Sequence, residues 1–526
     1  MHKVLEGSLV IRCFIALNSW LGAQLRDSLV VSAPKHAFAF FGRLFQNTLI
    51  ATGARAVHSW FGRGWQNSAI IGRFLSPGSG EGMSEGSVFT RLWLWFHRGL
   101  CTVFEKLRIN KLLRGSIFTM PYIWSMAVIA LAPVLPTMLV ATLTIIATVS
   151  LVIAFGCDRG RKLAYSPINK FVLLYAIVYI GATFTSVTVS GSLSSGLLTT
   201  LFVLFAIVLQ NSVTTRRQLH ALVYAFVLCG AAVSIYGIYQ YVFGTVGATA
   251  WLDSTMFSDF GVRVYSTLDN PNILSMYLLL VMPFAGASLL LVKGFFQKVL
   301  FVGCLGVMAI CMVLTYARGG WLGLVVAAVV FFVMLDKRFI LVGIAALIIL
   351  YFALPDVILD RFLSIGDVSD SSTSYRVYIW MASIAMLRDY WFTGIGPGTA
   401  AFNRIYPVYS FNTVAAPHTH NLFLQIMCDT GISGVVVFLC ILFTYFRGLC
   451  SAVSQEGNTT GEERERKKSK ILQIASISSV LGFLVQGMGD YSFYNYRVAL
   501  VFWAVLGIGV LAARRSSLQR GGRDLI

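Results

Sequence analysis

From residue 121 to residue 513 the chain keeps returning to apolar runs such as "LVATLTIIATVSLVIAFG" (139–156), in which no charged side chain appears. Runs of roughly 17–25 residues are what a helix needs to cross a ~30 Å hydrocarbon core. About twelve can be placed, at 121–136, 138–156, 171–186, 197–213, 220–243, 272–292, 299–316, 320–335, 339–354, 421–446, 471–489 and 498–513. Of the 526 residues 57% are hydrophobic and 12% are charged, about half the charged share of a soluble globular chain. The expected fold class is all-α: a polytopic membrane protein with a membrane domain at 119–516, one long loop at 355–419 carrying amphipathic helices, and a tail at 517–526.

Charge then orients the chain. The connections on one side, including "CDRGRK", "TTRRQ", "VKGFFQK" and "LDKR", hold 20 Lys/Arg, and those on the other hold seven. Short basic loops stay in the cytoplasm, so both termini are expected there and the long loop outside. Residues 1–118 differ in kind. Units beginning at Trp20, Phe40 and Trp60 repeat at a spacing of twenty, with fourteen Lys/Arg against five Asp/Glu over the region. Basic and aromatic residues mixed in this way suit short amphipathic helices lying on anionic lipids at the cytoplasmic face. "SPGSGEGMSEGS" (76–87) reads as a flexible linker. No nucleic-acid partner is expected. The nine cysteines form no CxxC pair and no disulfide framework.

Candidate chemistry gathers on the outer side. His418 and His420 stand in "APHTHNLFLQIMCDTGISG", at the end of the long loop. His420 opens an apolar run, where the positive end of the helix dipole disfavours imidazolium and leaves a ring able to accept a proton. Arg318 in "TYARGGWLG" lies between two runs with almost no loop to hold it in water. A guanidinium at membrane depth costs a few kcal/mol unless it snorkels or meets an anion. Arg263 precedes Asn270-Pro271-Asn272, a turn into a helix, and Arg376 belongs to an amphipathic stretch whose Tyr375, Ile379 and Leu387 would rest on the membrane. There is no DxD and no carboxylate pair at metal spacing, so neither a metal nor a cofactor is expected. Guanidinium forks match phosphate oxygens. With a neutral imidazole they suit a reaction in which a lipid-bound pyrophosphate leaves: His removes a proton from the attacking hydroxyl while Arg stabilises the departing charge.

At these residues the sequence resembles the O-antigen ligase/polymerase superfamily of bacterial membrane glycosyltransferases, which includes O-antigen ligases and protein O-oligosaccharyltransferases. The family pattern of His, then Asn/Ser/Gln, nine residues, Gly, two residues, then Gly/Thr/Tyr is met by His420, Asn421, Gly431 and Gly434. "RVYSTLDNPNILSMYLLLVMP", "LTYARGGWLG" and "YRVYIWMASIAMLRDYWFTGIGPGTAAF" also look like family blocks, and the likeness runs from about 120 to 513. It implies His420 as general base, with Arg318 and Arg376 on the pyrophosphate of an undecaprenyl-linked glycan and Arg263 in support. His418, Asn421, Asn270, Asn272 and Tyr375 would complete the site. Transfer would be metal-independent and inverting. The acceptor, whether another glycan, a lipid or a protein, is left open. A transporter or flippase for the same lipid-linked sugars is the competing reading; it should show matching halves with broken spans, and no such symmetry is found.

Overall fold

The computed structural model describes residues 88–113, 115–244, 263–336, 339, 371–411, 414–454 and 460–514. The repeats in the first 87 residues, the linker at 76–87, the expected span at 339–354, the start of the long loop and the tail at 517–526 lie outside the described residues. The main helices are α1 (Val88–Lys106), α2 (Pro121–Leu131), α3 (Thr137–Cys157), α4 (Ile168–Phe184), α5 (Val189–Ser212), α6 (Arg216–Val242) and α7 (Pro271–Leu291). They continue with α8 (Phe295–Leu314), α9 (Arg318–Leu335), α10 (Ser371–Tyr390), α11 (Thr399–Tyr409), α12 (Leu422–Ser454), α13 (Thr460–Gly487) and α14 (Tyr496–Ala513). Among the described residues ten helices, α3–α9 and α12–α14, are long and apolar enough to cross a membrane. The chain is an all-α polytopic membrane protein.

One expected span is corrected. The run at 121–136 is broken: α2 has only 11 residues and ends in a turn before Pro136. Proline disfavours helix for the residue before it, so the run cannot continue into α3, and α2 is too short to cross by itself.

Sequence signals set the helix ends. Asn270 caps α7, its side chain accepting from the backbone N–H groups of Asn272 and Ile273, with Pro271 at the first helical position. Thr215 and Gln218 form a reciprocal capping box on α6. At the end where α3 and α5 finish, basic side chains satisfy terminal carbonyls: Arg161 and Arg514 donate to the Asn211 and Gln210 oxygens, and His97 of α1 reaches Phe155 and Asp158.

Helices α7, α13 and α14 form the centre, 83–89% buried over their apolar windows, whereas α8 and α9 are 28% buried. In lipid, packing relies on close approach of backbones. A Cβ on Gly323 of α9 would lie 2.6 Å from the Gly482 carbonyl of α13, and one on Gly482 lies 2.7 Å from that of Gly323. A second, smaller apolar cluster joins α10 and α11 to the start of α12. It lies at the end of the bundle where α3, α5, α7, α9, α12 and α14 begin.

Candidate functional site

Three connections and one loop meet at this end: 263–270 before α7, 315–317 between α8 and α9, 414–421 before α12, and 488–495 between α13 and α14. His420 is not the first residue of its helix. Asn421 caps α12 by accepting the Leu424 N–H at 3.0 Å, and its Nδ2 donates to the Met488 carbonyl at 2.8 Å, which ties two connections together. One residue earlier, His420 has a φ of +48°, a left-handed conformation uncommon outside glycine and worth a functional question. It lets the His420 N–H donate to His418 Nδ1 at 3.2 Å, with the two rings 4.1 Å apart. Beneath them Gln425 accepts the Thr419 N–H and donates to Asp429, both at 2.8 Å.

The carboxylate that completes the site comes from elsewhere in the chain. His420 Nδ1 lies 3.1 Å from Asp490 Oδ1, which also accepts the Tyr491 N–H at 2.8 Å, and Asp490 Oδ2 accepts from Asn272 Nδ2 at 3.0 Å. Burial by itself would raise the Asp490 carboxyl, but the hydrogen bond from His420 and the positive charge of Arg376 hold it below the usual carboxylate range. An ionised carboxylate only accepts, so Nδ1 of His420 carries the proton and Nε2 keeps its lone pair. His418 is buried, and that burial, with His420 beside it, pushes its pKa down to about 3. Its ring is therefore neutral. Because Nδ1 accepts, Nε2–H is its free donor.

Arg263 extends the network. It donates through Nε to the Thr315 carbonyl and through Nη2 to Asn272 Oδ1, each at 3.0 Å. The Asn272 amide thus turns its oxygen to a cation and its nitrogen to an anion, a bridging role that neither Asp nor Leu could fill. The order from one side to the other is Arg263, Asn272, Asp490, His420, His418.

Not every expected residue enters this chain. Asn270 acts as a helix cap. Tyr375 presents its ring edge-on to His420 at 5.9 Å and donates its hydroxyl to the Ala415 carbonyl. Arg376, half-buried beside it on α10, is near enough to act on the charge of Asp490 and His418. Arg318 is the half-buried first residue of α9, at the same end of the bundle. The expectation that Ile379 and Leu387 rest on the membrane is corrected: both are buried with Ala401, Phe402 and Cys428. Helix α11 and the start of α12 supply an apolar partner, so α10 turns that face inward and leaves Met381 and Ile384 exposed.

Asp490 was missed by sequence reasoning. Its only signal was an acid in the short connection between two apolar runs, "GDYSFYNYR". The absence of a carboxylate pair in sequence also concealed a donor set, since His418, His420 and Asp490 bring ligand atoms within 4.8 Å of one another. Both Asp490 oxygens and His418 Nδ1 are taken by protein donors, so this trio is built first as a hydrogen-bonded unit.

Comparison with known proteins adds a family. Residues 303–439 match the family model described as O-Antigen ligase, a stretch containing Arg318, Arg376, His418, His420 and Asn421. The chain is also 24% identical over 148 residues to the exopolysaccharide production protein ExoQ of Rhizobium meliloti (strain 1021), covering 27% of this chain and 32% of that relative. The match thus spans about a third of the relative's length. The resemblance read from the sequence is borne out over that segment.

Proposed function

We propose that this chain, with its O-Antigen ligase segment, is a membrane glycosyltransferase of polysaccharide biosynthesis that moves a glycan from a polyprenyl pyrophosphate, such as undecaprenyl pyrophosphate, to an acceptor hydroxyl. The observation that carries the reading is the His420–Asp490 pair, whose imidazole Nε2 is left as a base, with Arg376 near enough to act on the charge of Asp490. In this reading the acceptor O–H gives its proton to Nε2 as its oxygen forms a bond to the anomeric carbon. The bond from that carbon to the phosphate oxygen breaks on the opposite face, inverting the centre, and the pyrophosphate leaves with the electron pair. Asp490 holds the ring and stabilises the imidazolium as it forms. Arg318 and Arg376 meet the leaving charge. Arg263 acts through Asn272 as a positioning residue. The two ends of the bundle are assigned to the two sides of the membrane by their charge, with the His420 end outside. Helix α1 exposes Leu92 and Trp95, which supports the basic N-terminal region as a contact for anionic lipids.

The test uses purified full-length protein with a defined polyprenyl-pyrophosphate glycan as donor. His420→Ala should abolish transfer, lowering the rate by about 10²–10⁴-fold, while the protein still inserts and the donor still binds. A chelator should leave the wild-type rate unchanged. Normal transfer by His420→Ala would remove the enzyme reading, and a chelator-sensitive rate restored by one divalent ion would reassign the His–His–Asp trio to a metal. A flippase would show donor movement in vesicles that survives His420→Ala.

A further inference from the structure

The two histidines separate two different environments. His420 faces Asp490. His418 lines a cavity of about 330 Å³ whose walls include none of Arg263, Arg318 or Arg376. That volume lies at the small end of ligand sites. Its acidic lining group is Asp429, 1% exposed, whose carboxyl oxygens receive Gln425 at 2.8 Å and the Tyr491 hydroxyl only at 3.5 Å. A carboxylate offers about four lone-pair positions, so it retains acceptor capacity toward the cavity. Ser195, Thr199 and Thr399 add hydroxyls, and Tyr491, Tyr494 and Tyr496 add aromatic rings.

Resting on the transferase reading, we propose that this cavity is the subsite for the terminal sugar of the acceptor, and that it takes a neutral hexopyranose. A buried carboxyl beside hydroxyls pairs with sugar O–H groups, and a lining without Arg or Lys offers phosphate or a uronic acid no counter-charge. Tyrosine rings match the C–H face of a pyranose while their hydroxyls match its edge. The donor's own reactive sugar is excluded because it is joined to the pyrophosphate and must lie beside the guanidiniums. An inverting displacement places nucleophile and leaving group on opposite sides of the anomeric carbon. His418 lines the cavity and His420 pairs with Asp490, so the cavity lies on the His418 side of the base. His418 Nε2–H then serves as a neutral donor to the incoming sugar.

The experiment is saturation-transfer NMR on the full-length protein in nanodiscs, with methyl β-glucopyranoside, methyl β-galactopyranoside, methyl α-mannopyranoside and methyl β-glucuronide as probes. At least one neutral glycoside should receive saturation and the glucuronide none. Thr199→Trp, which fills the cavity, should cut the signal at least fivefold, and Ser195→Phe serves if that variant fails to fold. His420→Ala should keep the signal, so loss of the transferase reading and loss of this one register separately. No signal from any neutral glycoside, equal signal from the glucuronide, or full signal in the filled variant overturns the proposal.

Discussion

At the scale of the residue, the site works by fixing which nitrogen carries a proton. Asp490 assigns His420 its Nδ1–H tautomer, and the His420 backbone assigns His418 the opposite one. Asp490→Asn keeps the shape but no longer fixes the tautomer or stabilises the imidazolium. Steady-state kinetics on the variant should show kcat down by about 10²–10⁴-fold with the donor KM little changed; an unchanged kcat would make Asp490 merely structural. His418 leads to a second expectation, in stability. An unfolded histidine takes up its proton near pH 6.5, whereas His418 in the fold refuses it until about pH 3. Between those values the unfolded chain binds the extra proton, so stability falls as pH falls through that window. Asp490 acts with the same sign, but an unfolded aspartate takes up its proton near pH 3.9, so most of its share is lost below pH 4.5. Thermal unfolding at pH 7.5 and pH 4.5 should therefore show a larger loss for the wild type than for His418→Asn, by a few degrees; equal losses would mean the ring is not held neutral.

At the scale of the element, the feature that matters is a helix that breaks. Within α12, Gly431 has φ +67° and ψ −165°. The carbonyls of Cys428 and Asp429 accept from the backbone N–H groups of Ile395 and Gly396, and Ile432 N–H donates to Trp391. The segment between α10 and α11 is thereby stitched into the gap. A Cβ at Gly431 would overlap the Phe392 carbonyl, and the backbone angle itself is costly for any other residue. This gives a physical reason for the glycine eleven places after His420 in the family pattern. Gly431→Ala should lower stability by about 1–3 kcal/mol and impair transfer as well, since Pro397, Gly398 and Thr399 line the cavity. A variant with unaltered melting temperature and rate would show the stitch to be dispensable.

At the scale of the whole molecule, sidedness can be read by labelling. Val408 is 78% exposed near the site, and the Arg159 side chain is 61% exposed at the opposite end. After subtraction of native labelling, Val408→Cys should react with an impermeant maleimide in intact cells, and Arg159→Cys only after permeabilisation. The reverse pattern would invert the topology. Hydropathy alone determined that the chain is all-helical and membrane-spanning, because hydrocarbon leaves a backbone little choice but to satisfy itself within each run. Local chemistry likewise marked the turn into α7 at Asn270-Pro271-Asn272, and the two histidines, whose contact depends on residues close in sequence, whereas the cap at Asn421 emerged only in the structure. The broken run before Pro136 and the inward turn of α10 were not legible, since each depends on what packs beside it or on where a short helix can end. Nor was Asp490. It lies seventy residues from His420, and a buried carboxylate acquires a partner only when two connections are brought to the same end of a packed bundle. Their meeting was decided by the crossing of α12, α13 and α14, which no periodicity in the chain records.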